Sequence, residues 1–160
     1  MIRPATARDV PRILSLIREL ASFEREPDAV EATEAGLREV LFGADPKVFA
    51  HVAQDGDTVV GVAIWFLNFS TWTGRHGIYL EDLVVSADAR RGGHGRALVA
   101  ELARICVARG YQRLDWAVLD WNAEAQRFYR SLGAHPMQEW TGWRVTGDAL
   151  RLVAGDSRPS

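Results

Sequence analysis

The sequence of 160 residues has one cysteine, no long hydrophobic run and no block of Lys and Arg residues. With Cys106 as its only thiol, the chain can build neither a disulfide framework nor a cysteine-based metal site by itself. The place of Cys106 in an apolar helical pattern indicates a buried, inert thiol. No segment approaches the length that spans a bilayer and no signal-like stretch opens the sequence. The cytoplasm is therefore the expected compartment, with no membrane partner.

Two further absences narrow the function. The net charge is −2 and basic residues are not clustered, which argues against nonspecific nucleic-acid binding as the main role, so no nucleic-acid partner is expected. No Gly-x-Gly-x-x-Gly sequence is present, which makes the dinucleotide-binding fold a poor match. Because the four histidines have no ligand-like spacing, no metal site is expected; they are His51, His76, His94 and His135.

What is present predicts one α/β domain with a polar tail from about residue 155. Apolar residues make up 48% of the chain and charged residues 25%, as in an ordinary globular protein. Apolar periodicity, capping residues and turn residues predict a mixed sheet with helices on both faces. The predicted strands are 2–4, 48–53, 59–67, 78–85, 114–119 and 143–146. The predicted helices are 10–23, 33–43, 95–109 and 123–132, with one helical turn at 148–153 and a loop at 24–30.

A glycine-rich turn between a predicted strand and a predicted helix is the first feature that indicates chemistry. The apolar run Leu83, Val84 and Val85 is followed by Arg-Arg-Gly-Gly-His-Gly-Arg at 90–96. Glycines let backbone N–H groups approach a ligand closely, and the positive end of a helix favours an anion. Without this context, the same glycine spacing is equally typical of a plain turn. The pattern predicts a site for the pyrophosphate of a nucleotide-containing cofactor.

A second motif makes the pattern specific. After the next predicted strand the chain reads Asn-x-x-Ala-x-x-Phe-Tyr-x-x-x-Gly-Ala from Asn122 to Ala134. With the glycine motif, this sequence resembles the GNAT superfamily of acetyl-CoA-dependent N-acetyltransferases. Four further segments, 2–6, 18–21, 79–82 and 142–144, have the order and spacing of the diamine (spermidine/spermine) N-acetyltransferases and their thialysine-acetylating relatives. The resemblance runs from Ile2 to about Val153 and implies a central, mixed, mostly antiparallel sheet flanked by helices.

The resemblance implies a site for acetyl-CoA as cosubstrate. In that family the strand matching Leu83, Val84 and Val85 bulges and splays from its neighbour, and its free backbone groups hold the pantetheine arm. Asn122 would hydrogen-bond that arm, although a simple helix cap looks the same in sequence. Each arginine of the loop could equally be a solvated surface residue. The residues implied for the pyrophosphate are Arg90, Arg91, Gly92, Gly93, His94, Gly95 and Arg96.

The resemblance also assigns the proton transfers. A primary amine with a pKa of about 10.4 arrives protonated and must lose a proton, whereas a leaving thiolate must gain one. Tyr129 matches the family's tyrosine that lies beside the thioester sulfur of the bound cofactor. The alternative is that Tyr129 packs its ring in the core. Glu81 matches the base, acting through water. Strand alternation predicts that Glu81 and Asp82 point to opposite faces. By resemblance, Asp82 contributes to substrate contact or to a structural ion pair. Cys106 lies away from these motifs, so we expect direct attack by the amine without an acyl-enzyme.

Five positions bear on the amine substrate. By resemblance, Glu24 faces the amine chain, and Trp72 and Trp143 line the cleft. Phe23 and Thr141 stand where the diamine enzymes carry a tyrosine and a glutamate, which removes partners for a long polycation. Shorter amines and thialysine-like amino acids therefore fit the pattern better than spermidine or spermine. The other tryptophans singled out are expected to be core residues; they are Trp65, Trp116 and Trp121.

Together these observations predict an enzyme that acetylates the amino group of a small molecule. The family resemblance alone implies that this enzyme is a homodimer. Two alternatives stay open. One is acetylation of a protein amino group, which an open cleft without Glu24 would favour. The other is a sensor that binds acetyl-CoA without turnover, against which the presence of both Glu81 and Tyr129 argues.

Overall fold

A computed structural model describes residues 1–155 and contains a five-stranded sheet. Its strand order is β1-β2-β3-β4-β5; β1 to β4 are antiparallel neighbours and β5 runs parallel to β4. This confirms the predicted mixed, mostly antiparallel sheet. The predicted polar tail, from 156 on, lies outside the described residues. The strands are β1 (Ile2–Pro4), β2 (Phe49–Asp55), β3 (Thr58–Ser70), β4 (Arg75–Val85) and β5 (Leu114–Asp115).

Local sequence signals fix the ends of the helices. Thr33 accepts a hydrogen bond from the Gly36 amide at 3.1 Å and starts α2. Thr6 and Asp9 form a capping box before α1, and Arg3 donates two hydrogen bonds to Asp9, at 2.7 and 2.9 Å. Arg3 holds the pKa of Asp9 below its ordinary value. The helices are α1 (Val10–Phe23), α2 (Glu34–Phe42), α3 (His94–Arg109), α4 (Ala123–Arg130) and α5 (Gly147–Val153).

The two faces of the sheet carry different helices. One face packs against α1 and α2, and alternate strand residues contribute to its core. The intervening residue His51 points to the other face, where α3 buries Leu98, Leu102 and Cys106. The prediction that Cys106 is a buried thiol in an apolar helical pattern is thereby confirmed. The buried residues of the first face are Ile13, Leu16, Leu41, Ala50, Val52, Val59, Val62, Ile64 and Val84.

Three expectations were wrong. β5 ends at Asp115 rather than at 119, because it pairs with β4 only at Ile78 and Tyr79. Residues 143–146 form no strand, because a strand needs a ladder partner and this segment pairs with none among the described residues. Trp121 is 45% exposed and is not a core residue, whereas Trp65 is buried and Trp116 is half-buried. The predicted 24–30 loop contains one short 3₁₀ turn, Pro27–Ala29.

Backbone contacts group the chain into two compact units, Met1–Leu119 and Asp120–Ser160. The first contains the whole sheet with α1, α2 and α3, and the second contains α4 and α5. The single domain expected from the sequence stays a prediction. Among the helices of residues 1–155, none has the length and apolar character that a membrane crossing needs.

A buried histidine makes the stability of the first unit sensitive to acid. The Trp65 indole N–H donates a hydrogen bond to His51 Nδ1 at 3.1 Å, which requires that nitrogen to be unprotonated. Burial lowers the pKa of His51 below its ordinary value; the charge of Glu101 opposes this effect and that of Arg109 adds to it. The unfolded chain therefore takes up a proton at a higher pH than the folded chain does. Stability from this group is complete above about pH 7 and is lost as the pH falls through about 6.5.

We expect His51 by itself to lower the free energy of unfolding between about pH 7 and pH 5, by up to about 1.4 kcal/mol per pH unit. The His51→Gln variant keeps a hydrogen-bond acceptor for Trp65 but does not titrate, so its free energy of unfolding should rise relative to that of wild type as the pH falls. Urea unfolding across this pH range measures the difference. His135→Gln, at an exposed position, is the control and should behave as wild type. Equal slopes in all three proteins would contradict the assignment.

Candidate active site

A β-bulge lies at the centre of the candidate site. In the β3–β4 ladder, Trp65 pairs with Leu80 and Ile64 pairs with Asp82, so Glu81 is an extra residue without a partner on β3. A bulge of this kind redirects side chains and increases the local twist. The family resemblance implied a bulge in this strand, and the structure has one directly before residues 83–85.

The bulge places both acidic side chains on one face, contrary to the prediction that they point to opposite faces. Trp65 and Ile64 are consecutive in β3 and point to opposite faces, so their partners Leu80 and Asp82 do too. Glu81 follows Leu80 and therefore points away from it, to the face of Asp82. That face is the one covered by α1 and α2, because Ile64 belongs to its core.

Asp82 is the shielded member of this pair. Glu81 is exposed, whereas Asp82 is half-buried next to the buried Val84. Burial and the charges of Glu81 and Glu24 raise the pKa of Asp82 to about 6. No arginine or lysine of Met1–Leu119 forms a salt bridge with either carboxylate, so the structural ion pair considered for Asp82 is not formed in that unit. The site therefore concentrates negative charge.

Glu24 reaches this face from the end of α1. The helix ends in a Schellman motif, in which the Arg25 amide donates to Ser22 O at 3.2 Å and the Glu26 amide to Ala21 O at 2.9 Å. Arg25 occupies the left-handed position with φ 66°, where glycine is the usual residue, at a cost of about 1 kcal/mol. Glu24 is thereby held at the turn, next to the ring of Phe23.

Phe23 is in contact with the first arginine of the glycine loop. The Arg90 guanidinium carbon lies 5.4 Å from the centroid of the Phe23 ring, a cation–π distance. Arg90 Nε also donates to Val85 O at 3.4 Å. The end of α1 and the end of β4 are therefore linked through one side chain.

Residues Leu83, Val84 and Val85 follow the bulge and pair with β3 on one side only. β4 and β5 are paired at Ile78 and Tyr79 and not beyond, so within Met1–Leu119 the β5 side of these three residues has no strand neighbour. Backbone N–H and C=O groups at such an edge are available to an extended ligand. This agrees with the splay that the family resemblance implies.

The glycine loop that follows has the geometry of an anion site. Arg91 and Gly93 both have positive φ, 70° and 77°, and Gly93 is the N-cap of α3. The first intrahelical hydrogen bond runs from the Ala97 amide to Gly93 O at 3.0 Å, so the amides of His94 and Gly95 belong to the open first turn. Left-handed residues before a helix N-terminus form an anion-binding concavity.

Four side chains of the loop affect how it can bind an anion: three arginines add positive charge, and one histidine occupies space. Arg90, Arg91 and Arg96 are exposed, whereas His94 is half-buried and folds over Gly92. A methyl group at Gly92 would lie 2.9 Å from His94 Nε2, too close for a real contact, whereas one at Gly93 would point into open space. The loop can therefore accept a ligand at Gly93.

Arg18 lies beside the glycine loop, although the family resemblance did not imply it as a cofactor-binding residue. A depression of about 510 Å³ is lined by Arg18 and Arg90 together with two hydroxyl groups of α1. The lining residues are Ser15, Arg18, Glu19, Ser22, Ala87 and Arg90. The spacing of Ser15, Arg18 and Ser22 puts a polar stripe on one side of α1. That stripe is the sequence signal for this surface.

In the second unit, Tyr129 lies in the last turn of α4. Asn122 Oδ1 accepts the Ala125 amide at 3.1 Å, so Asn122 caps this helix, the simpler of its two interpretations. The Tyr129 carbonyl accepts the amides of Leu132 and Ala134 at 3.0 and 3.2 Å. Gly133 has φ 88° and closes the turn after α4, which ends at Arg130 rather than at the predicted residue 132. These bonds fix the backbone of Tyr129, and its ring lies 5.1 Å from that of Phe128.

The aromatic residues implied for the cleft are on the surface. Trp72, in the turn between β3 and β4, is 89% exposed, and Trp143 is 95% exposed. Thr141 is exposed as well. Of the residues implied for the substrate, the structure brings together Phe23, Glu24, Glu81 and Asp82 in the first unit. Trp72 and Trp143 do not line an enclosed site within their own units.

Comparison with known proteins identifies the class. The sequence profile of the "Acetyltransferase (GNAT) family" matches residues 11–134. The chain belongs to this family, whose members use acetyl-CoA as the acyl donor. Its fold agrees, since a solved integron cassette protein from V. cholerae shares it with a TM-score of 0.80 and 29% identity, over 96% of both chains.

Curated relatives narrow the activity. The chain is 39% identical to thialysine N-epsilon-acetyltransferase of Bos taurus over 97% of both chains. It is 32% identical to L-ornithine N5-acetyltransferase of Arabidopsis thaliana, over 95% of this chain and 86% of that protein. The protein is therefore an N-acetyltransferase of the GNAT family.

Proposed function

We propose that this protein transfers an acetyl group from acetyl-CoA to the primary amine of a small molecule, a diamine, a polyamine or a thialysine-like amino acid. The observation that carries the proposal is the bulge at Glu81, which puts two carboxylates on one face beside Glu24. A site with this charge suits an ammonium group. The relatives named for thialysine and ornithine acetylation support the same substrate class.

The proposed residues solve two proton problems. When bound, acetyl-CoA supplies a thioester whose carbonyl carbon the amine attacks. Glu81 accepts the proton of the ammonium group through water, which frees the nitrogen lone pair. The C–N bond forms and the C–S bond breaks, and the Tyr129 hydroxyl gives its proton to the leaving sulfur. The nitrogen loses a second proton after attack; Tyr129 regains one, and one proton in total leaves to solvent.

The cofactor would be held by backbone and by charge. The unpaired edge of residues 83–85 would take the pantetheine arm, and the amides at the start of α3 would take the pyrophosphate, with Gly93 allowing close approach. Arg91 and Arg96 are placed to add charge. Arg90 and Arg18, on the depression beside the loop, would face another anionic part of the cofactor. Asn122 would act indirectly, because its side chain caps α4, the helix that carries Tyr129.

A panel of amines tests this function. Thialysine, ornithine, putrescine, spermidine and spermine are each incubated with the protein and acetyl-CoA, and CoA release is measured. We expect release that depends on the amine and saturates with it. Release with none of them, or only with a protein acceptor, would contradict the proposal.

The missing carboxylate at Thr141 should set the preference within this panel. A charge pair at about 4 Å is worth on the order of 1–4 kcal/mol depending on screening, so a long polycation loses more from its absence than a short amine does. We expect a short amine or a thialysine-like amino acid to show a higher kcat/KM than spermine. Thr141→Glu should shift the ratio toward spermine several-fold. Gln138→Glu adds the same charge to the same segment and is the control; wild-type preference for spermine would show that this interpretation of Thr141 is wrong.

We also propose a homodimer in the cytoplasm, the dimer by family resemblance. Large apolar side chains are exposed in the second unit, and such surfaces mark interaction sites. They are Met137, Trp140, Trp143, Val145, Leu150, Leu152 and Val153. A second copy of the chain is the partner proposed to cover them.

A further inference from the structure

The bulge in β4 gives Asp82 a more direct part in the reaction than substrate contact. We propose that Glu81 and Asp82 work as one proton-sharing carboxylate pair, in which Asp82 holds the proton taken from the amine and Glu81 exchanges it with water. This inference rests on the proposed function for its catalytic part. The pairing itself is a property of the chain without substrate.

The first argument is geometric. Consecutive residues of a regular strand point to opposite faces and cannot share a proton. Because Glu81 is the extra residue between the Trp65–Leu80 and Ile64–Asp82 pairs, both carboxylates point to the face of α1. The bulge is therefore the device that turns two neighbouring acids into a pair.

The second argument is the difference between their surroundings. Asp82 sits opposite buried Ile64 and beside buried Val84, whereas Glu81 is exposed to solvent. A carboxylate in a shielded position gains most from taking up a proton, because protonation removes a charge that is poorly hydrated. An exposed carboxylate exchanges protons with water readily. The shielded acid therefore stores the proton and the exposed acid returns it to solvent.

The third argument is the charge around the pair. Glu24 acts on Asp82 from the end of α1, Glu81 acts on it from β4, and no cation of Met1–Leu119 forms a salt bridge with either member of the pair. Burial, together with the charges of Glu81 and Asp115, raises the pKa of Tyr79 on the same face. Like charges at short range disfavour full ionisation, so Asp82 takes up a proton more readily than an isolated aspartate does.

In the reaction the balance is simple. The ammonium group gives one proton to the ionised pair, where it resides on Asp82, and the free amine attacks the thioester carbon. The nitrogen–carbon bond forms, the carbon–sulfur bond breaks, and the sulfur takes a proton from the Tyr129 hydroxyl. Glu81 then passes the proton of the pair to water, and the second nitrogen proton returns the tyrosine to its starting state.

Carbon NMR of labelled side-chain carboxyl groups in the full chain, without substrate, tests the pair. We expect the Asp82 signal to titrate near pH 6. Glu81→Gln should lower the midpoint of Asp82 by roughly one pH unit, since it removes a like charge. Asp88→Asn, at an exposed position after β4, is the matched control and should leave the midpoint unchanged. An Asp82 midpoint at the ordinary aspartate value, unmoved by Glu81→Gln, would overturn the pair.

Kinetics test its use in catalysis. With the best amine, Asp82→Asn should reduce kcat by about 10²-fold or more and remove the acidic limb of the pH profile, because it removes the proton store. Glu81→Gln should keep an acidic limb at lower pH. Asp82→Asn relieves repulsion, so its thermal stability should equal or exceed that of wild type. A rise in KM alone for Asp82→Asn would make Asp82 a binding residue and overturn the inference. Coupled NMR titrations in a protein that acetylates no amine would instead keep the pair and contradict the proposed function.

Discussion

The Tyr129→Phe variant is expected to turn over its best amine about 10²- to 10⁴-fold more slowly than wild type while binding acetyl-CoA equally well. The substitution removes one hydroxyl group and keeps the ring, so packing against Phe128 is preserved. The thiolate then leaves without a proton donor, which affects the transition state and not the bound ground state. Steady-state kinetics and calorimetric titration with acetyl-CoA measure the two quantities.

Tyr111→Phe is the matched control, because Tyr111 is a half-buried tyrosine of the first unit whose ring contacts His76. It should turn over within a few-fold of wild type. If Tyr129→Phe also stays within a few-fold, Tyr129 packs its ring and does not protonate the leaving group. A parallel loss of cofactor affinity would indicate that the helix has shifted.

The Gly93→Val variant is expected to bind acetyl-CoA too weakly for calorimetric detection. Gly93 has φ 77° and its Cβ position faces open space, so a side chain there would enter the volume in which a phosphate approaches the start of α3. A valine also resists this backbone conformation, at a cost of about 1–2 kcal/mol. Both effects act at the same turn.

Gly74→Val separates steric exclusion from strain. Gly74 has φ 63° in the turn between β3 and β4, and its Cβ position is likewise open. Both variants should lose similar thermal stability, whereas only Gly93→Val should lose the cofactor. If Gly93→Val bound acetyl-CoA with wild-type affinity, the assignment of the glycine loop to the cofactor would be wrong.

Local signals in the sequence predict much of this fold. The Asp-Gly turn at Gly56, the cap at Thr33 and the left-handed Gly133 each depend on neighbouring residues only. The context of the glycine loop, between a predicted strand and a predicted helix, makes it a candidate site, and the family resemblance makes the carboxylates of β4 candidates. These features need no information about distant strands.

The bulge at Glu81 is different, because it is a shift of register between β3 and β4, and the sequence of β4 alone contains no signal for it. A shift of one residue reverses every side chain, so the face of Asp82 could not be predicted from alternation. The extent of β5 and the absence of a strand at 143–146 have the same cause: apolar and β-branched residues indicate a strand only where a partner is available. The exposure of Trp121 and Trp143 likewise depends on packing that lies outside their local sequence.

The most direct test of the central claim is mass spectrometry of a reaction that contains only the protein, acetyl-CoA and one small primary amine such as thialysine. The account predicts N-acetylated amine and free CoA in equal amounts, with no acetyl group left on the protein, because the amine attacks the thioester directly. Acetyl-CoA that binds but stays intact with every amine would contradict it and favour a sensor. An acetylated protein that forms before the product would contradict direct attack.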